Sequence, residues 1–442
     1  MKKNHRIRTT IYLSALFIIF FFSYSTNFLG IAAKYYTTFD RSDEMFVIGR
    51  LDAATYQGIL SYGGLPGSAH PTRDSIAKMN YDYMKEVNEK YDYYLTDRKM
   101  PGDKFAAYYS QSGGQGLSYS VLQKILPFKN EVKIRIYRAI NICLLAFCFI
   151  LFLGWCYRNY GLLSSFITFL LLLFSPIIHN FAFSLWWTLW SYYIPFLTML
   201  LILERNNKSP GRYSENKTLA FLFISVFAKC FFTGFEYITP TLAAILCPII
   251  YYHILEKKKI KTTFIFICKT IICSVTALLA EVFLLINQIK SIEGSYAKGI
   301  EYLIHAFTRR SSLDVDEFPP TIQEILNEHL FGIDLVIWGH SVYNITLTLF
   351  TTILIVLIMC ISLYFLSKKI DTTNKSKSKA LLVTTLLSSL APISWIVIFT
   401  EHVSKHSLDR IIWYMPFLLY GFLVIGVCLS IILSRLRRRK NI

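Results

Sequence analysis

Charge is scarce in this 442-residue chain. Only 17% of residues are Asp, Glu, Lys or Arg, against roughly 25% in an ordinary soluble protein. That shortage, beside 54% hydrophobic residues, excludes disorder, a long coiled coil and a string of soluble domains. Cysteine is sparse where it would matter. All nine lie in or beside apolar runs and none in the long polar stretches, which excludes a disulfide framework and a CxxC metal site. No internal repeat, low-complexity tract, phosphate loop or dinucleotide fingerprint is present. Aromatics abound instead, with 35 Phe and 29 Tyr, more than a water-facing surface could expose. These features define a membrane protein.

The formal charge of +18 would suggest a nucleic-acid partner in a soluble chain. Its placement argues otherwise. Half of the 46 basic residues sit in short clusters beside apolar runs: Lys2 to Arg8, Arg158, Arg205 to Lys217, Lys257 to Lys261, Lys368 to Lys379 and Arg435 to Lys440. Only Glu204, Glu215, Glu256 and Asp371 oppose them there. That is the signature of cytoplasmic flanks, which resist translocation, and it leaves no role for nucleic acid.

Ten spans follow from the ~20 apolar residues needed to cross a bilayer. They run over 9–33, 137–156, 162–180, 185–203, 218–235, 238–255, 263–287, 342–367, 380–400 and 412–434. With both termini inside, every cationic cluster falls on the cytoplasmic face. The first apolar stretch is too long for a signal peptide and lacks a good cleavage site, so it reads as an uncleaved helix. The expected fold is thus an all-α polytopic membrane protein, one transmembrane domain over 1–442, with two large outer loops at 34–136 and 288–341. Within the first, Leu117, Val121, Leu122, Ile125 and Leu126 recur at helical spacing, as in a short interfacial helix or a loop helix packed on the bundle. The Tyr-rich stretch 75–95 reads as a further helix.

The candidate chemistry lies on the outer side. Asp40, Asp43 and Glu44 follow the first helix closely, where a low-dielectric boundary can turn a carboxylate into a usable base, although a solvated acidic turn has the same letters. Lys229 and Glu236 are intramembrane charges seven residues apart on one helix face, either a structural ion pair or the lining of a polar cavity, and Glu281 lies in a later span. Arg309, Arg310, Lys405, His406 and Arg410 place cations on the outer face and can hold a phosphate or form a solvated basic rim. His402 and His406 have helical metal-ligand spacing but no third ligand beside them, so no metal is expected. Tyr108, Gln111 and Gln115 in AYYSQSGGQG are sugar-binding residue types, in what can equally be a flexible turn.

The order of these features resembles the GT-C superfamily of integral-membrane glycosyltransferases. The resemblance rests on Asp43-Glu44 in a large first outer loop and on WWTLWSYYIPF with Trp187, Trp190 and Pro195. It rests also on GFEYIT with Glu236 and on KHSLDRIIWYMPF with Lys405, His406, Trp413 and Pro416. Within the superfamily the chain is most similar to the serotype-converting O-antigen glucosyltransferases of enteric bacteria and their phages. The motifs are short and degenerate, though they span nearly the whole length.

The resemblance implies a bacterial inner-membrane enzyme with its site facing the periplasm. It would move glucose from undecaprenyl phosphate to the O-antigen of lipopolysaccharide with inversion. Asp43 then corresponds to the base, with Glu44 and Asp40 in reserve. Lys405 and Arg410 correspond to cations for the leaving phosphate, followed by Arg309 and Arg310. The implied partners are the polyprenyl-linked donor, the lipid-linked polysaccharide acceptor and the bilayer. Some superfamily members use a divalent cation, but no ligand set for one is evident here. The rival readings are an O-antigen polymerase, which normally carries its large loop later in the chain, and a flippase or transporter, which usually shows internal repeats and short outer loops.

Overall fold

The computed structural model describes residues 2–32, 41–70, 83–101, 104–311, 321–331, 338–340, 345–368 and 372–440. The described residues form an all-α bundle with two short two-stranded antiparallel sheets. Among the described residues, eight helices are long and apolar enough to cross a membrane, or nine if one bent pair counts as a single span.

The first helix, α1 (Lys2–Thr26), stops earlier than the apolar run because Asn27 and Leu29 take left-handed conformations. The described parts of the expected first outer loop pack on the bundle. Its helix α2 (Arg41–Gln57) buries Val47, Ile48 and Leu51 in the main core, and α3 (Tyr83–Leu95) buries Val87, Tyr91 and Tyr94 beside it. A two-stranded ribbon, β1 (Gly67–His70) with β2 (Lys104–Ala107), crosses α2 where Gly49 meets Gly67. A Cβ on Gly49 would stand 2.1 Å from the Gly67 carbonyl oxygen, so only glycine permits that crossing.

Helix α4 (Gly114–Ile125) inverts the usual pattern. It buries Gln115, Tyr119 and Gln123, which hydrogen-bond inward, and Ser120, which bonds the Gly116 carbonyl of its own helix, and exposes Val121 and Ile125. Apolar side chains facing out and polar ones facing in suit lipid better than water.

The long α5 (Asn130–Tyr160) leads to a broken span. Helices α6 (Leu162–Leu173) and α7 (Pro176–Phe183) meet at 69°. Pro176 supplies no N–H to the preceding turn, and the Nε2 of buried His179 lies 2.8 Å from the orphaned Leu173 carbonyl. The expected span 185–203 appears as α8 (Trp190–Lys208), which stands outside the eight because its ends are polar and charged. It can be so because most of it is buried by neighbouring helices.

Then come α9 (Glu215–Thr233), α10 (Ile238–Glu256) and α11 (Ile260–Glu293), the last continuing past the expected limit at 287. The second loop contains α12 (Tyr296–Arg310) and α13 (Ile322–Phe331); Pro319-Pro320 and the acidic stretch Asp314 to Glu317 lie outside the described residues. A hairpin of β3 (Trp338–His340) and β4 (Ile345–Leu347) precedes α14 (Leu349–Ser367). The apolar run 380–400 is shared by α15 (Thr372–Ser388) and α16 (Leu390–Ile398). The short α17 (Thr400–Lys405), a 3₁₀ turn at Ser407–Tyr414 and α18 (Phe417–Lys440) complete the chain.

The two ends of the bundle differ. At one, Arg158 and Lys208 both bind Glu204, Lys377 reaches the Asn159 carbonyl, and the Tyr160 hydroxyl lies 2.8 Å from that of Tyr251. At the other, α2, the stretch after β2, the turns after α7 and α9, the last turn of α12 and the stretch after α16 converge on one cavity.

Candidate functional site

That cavity has a volume of about 380 Å³ and is built from six separate stretches of chain. Helix α2 contributes Asp43 and Phe46, three residues apart and therefore on one face. Glu44, rotated away from them, joins Val47, Ile48 and Leu51 on the buried face instead. There its carboxylate accepts hydrogen bonds from the Arg138 guanidinium at 2.8 Å, the Tyr91 hydroxyl at 3.0 Å and the Leu185 amide at 2.8 Å. Two adjacent acids thus have different environments: Asp43 faces the cavity and Glu44 ties three elements together. Asp40 lies outside the described residues.

One wall is aromatic. Phe46, Tyr108 and Trp186 meet with ring centroids 4.8 to 5.4 Å apart, and Trp187 stacks on Tyr237 at 5.7 Å. The Ser184 hydroxyl accepts from the amides of Trp186 and Trp187 and fixes the turn that presents them. Such faces can hold a sugar ring by apolar contact.

The opposite wall is charged and centres on Glu236. Sequence spacing predicts Lys229 and Glu236 on one helix, but Gly234 ends α9 with φ +58°. A Cβ there would stand 2.6 Å from the Gln111 Cβ, so the turn requires glycine. Lys229 therefore meets Glu236 at its backbone, donating to the carbonyls of Gly234 at 2.9 Å and Glu236 at 2.5 Å. The Glu236 carboxylate turns the other way. Arg310 approaches one oxygen to 2.8 Å and His402 Nε2 lies 3.4 Å from the other.

Burial alone would raise the Glu236 pKa, but Arg310 and then His402 hold it well below the usual carboxylate range. A carboxylate so paired is a poor base. His402 also lies 3.8 Å from Asp409, which accepts from the Tyr237 hydroxyl and the Trp395 indole N–H, both at 2.9 Å. Burial would lower the His402 pKa, yet Glu236 and Asp409 raise it overall. Asp409 is pushed up to about 6 by burial.

The remaining expected cations divide. Arg309 and Lys405 line the cavity; Lys405 pairs with Glu401 at 2.5 Å, and among the described residues Arg309 has no ion-pair partner. His406 also lines it, but burial first and His402 second lower its pKa to about 4, so it is neutral at pH 7. Arg410 does not reach the cavity; it is buried and donates to the Glu328 carbonyl of α13. Gln111 and Gln115 are likewise buried behind the wall, Gln115 donating to the Trp186 carbonyl at 3.4 Å. Glu281 accepts from Ser112 in the bundle interior.

Phe46, Trp186, Glu401 and Asp409 were not singled out by the sequence reading. Asp409 had no local signal, because its partners Tyr237 and Trp395 lie in the turn before α10 and on α16. Among the described residues no group of three His, Cys, Asp or Glu side chains converges as a metal site. Comparison with protein families, curated proteins and solved structures returns no match to this chain.

Proposed function

We propose that the protein is an inverting glycosyltransferase of the GT-C kind. It moves a sugar, glucose by the resemblance above, from undecaprenyl phosphate to the O-antigen at the periplasmic face of the inner membrane. One observation carries the reading: a helix-borne acid, Asp43, shares a cavity with an aromatic wall and with Arg309, Arg310 and Lys405. The cavity lies at the end of the bundle opposite the cationic clusters, which the charge rule puts in the cytoplasm.

Each part has a chemical task. Asp43 takes the proton of the acceptor hydroxyl as that oxygen bonds to the anomeric carbon. The bond from that carbon to the phosphate oxygen breaks, and the electron pair leaves with the phosphate. Arg309 and Lys405 stabilise the departing charge, while Phe46, Tyr108 and Trp186 hold the sugar. Glu236 keeps Arg310 in place and is too acidic to compete for the proton.

The test is expression in a strain whose O-antigen is known and unmodified, followed by analysis of the polysaccharide. A new side-branch sugar that Asp43→Asn abolishes supports the reading. A changed chain-length distribution without a branch would replace it with a polymerase.

A further inference from the structure

Helix α12 carries a face that the cavity does not use. At about 100° per residue its side chains sort into three sectors. Gly299, Tyr302, Ala306 and Arg310 turn toward the protein; Gly299 and Ala306 are buried, and Gly299 packs on Ile286 of α11. Lys298, Glu301 and His305 form an exposed polar sector. Tyr296, Ile300, Ile304 and Phe307 form a third, apolar and exposed at 45%, 49%, 63% and 52%.

A helix packed on a protein in water needs two sectors, one buried and one polar. A third sector of aligned large apolar residues loses free energy in water unless something covers it. The neighbouring surface identifies the cover. Helix α11 exposes Ile272, Leu279 and Phe283 along a membrane-crossing length, and the chain folds back into α12 at Gly294. The apolar sector of α12 follows that exposed apolar length directly in the chain.

We propose that α12 lies in the membrane interface, with Ile300, Ile304 and Phe307 among phospholipid acyl chains, and forms the sill over which the cavity opens sideways to the bilayer. Its last turn explains the arrangement. Arg310 borders the apolar sector and Arg309 the polar one, and both line the cavity. An amphiphile with its tail in the bilayer could thus bring an anionic headgroup to the arginines without leaving the interface.

The proposal concerns where α12 sits and stands whether or not a sugar is transferred, so its test does not measure transfer. Photoreactive benzoylphenylalanine is placed singly at Ile304, Phe307, Glu301 and Leu279 of the full chain. Each variant is reconstituted into phosphatidylethanolamine–phosphatidylglycerol vesicles, irradiated and examined by mass spectrometry for lipid adducts. Leu279 on α11 sets the lipid-facing standard, and an unchanged gel-filtration profile shows that each variant is folded. The expected result is adduct formation at Ile304 and Phe307 near the Leu279 level, with a several-fold excess over Glu301. Absence of adducts at both Ile304 and Phe307 while Leu279 labels would overturn the proposal. Labelling of Glu301 equal to that of Ile304 would overturn it too, since the helix would then be immersed rather than interfacial.

Discussion

Arg310, the last residue of α12, places its guanidinium 2.8 Å from the carboxylate of Glu236, in the turn between α9 and α10. The pair joins α12 to that turn, and both residues line the cavity. Both side chains are largely buried, at 12% and 14% exposure, so neither charge is well solvated without the other. Arg310→Ala should therefore destabilise the protein by about 3–5 kcal/mol, the usual cost of an uncompensated buried charge. Arg310→Ala combined with Glu236→Gln should recover part of that loss. Thermal unfolding of the single and double variants in detergent measures it; equal melting of the two would show that the pair is not the source.

The acid cluster predicts a pH dependence of definite sign. Asp409 has a folded pKa near 6 against an ordinary 3.8. A raised folded pKa means extra proton affinity in the native state, so its stabilising contribution is full below the ordinary value and is lost as pH rises through about 6. His402, also raised, acts in the same direction at higher pH. Glu236 acts oppositely: its contribution is present above the ordinary carboxylate pKa and lost as pH falls below it. Melting temperature should thus peak in mildly acidic buffer and decline as pH rises through about 6, with His402 extending the decline as it loses its proton. Asp409→Asn should flatten the decline, and an unchanged slope in that variant would remove Asp409 from the explanation.

Much of this architecture is legible in the sequence, for physical reasons. Apolar runs and cationic flanks report directly on a membrane, so the class of fold and most spans can be read without a structure. The breaks are harder. The 69° bend at Pro176 depends on His179 reaching back to Leu173, a contact no hydropathy window contains. The spacing of Lys229 and Glu236 suggests a shared helix face only if Gly234 is read as helical. Glu44 did leave a usable signal. It precedes Val47, Ile48 and Leu51 at intervals of three, four and seven, which puts it on the buried stripe and leaves Asp43 on the other side. Arg410 and Asp409 could not be sorted from their cavity-lining neighbours, because a 3₁₀ turn has its own periodicity.

Topology gives the next prediction. Truncation fusions of a reporter after Lys99 should report the periplasm, and fusions after Lys208, Lys259 and Lys375 the cytoplasm. The structure motivates the choice of site: Lys99 follows α3 on an exposed turn, whereas Gln115 is buried in α4 and a fusion there would cut through a packed helix. A cytoplasmic signal after Lys99 would turn the cavity toward the wrong side of the membrane for a periplasmic transfer.

The adjacent acids of α2 provide the sharpest comparison. Asp43→Asn keeps the size of the side chain and removes the proton acceptor from the cavity, so transfer should fall at least ~100-fold, the low end for loss of a general base. Stability should hardly change. Glu44→Gln should do the reverse. Its carboxylate is fully buried and serves Arg138, Tyr91 and the Leu185 amide at once, so removing the charge weakens all three contacts and lowers the melting temperature. Any loss of transfer in Glu44→Gln should then track the loss of folded protein in the membrane. The measurement pairs polysaccharide modification with melting temperature for both variants at matched protein levels. If Glu44→Gln abolished transfer with its melting temperature intact, Glu44 would become the base. Full transfer by Asp43→Asn would show that the proton leaves by another route.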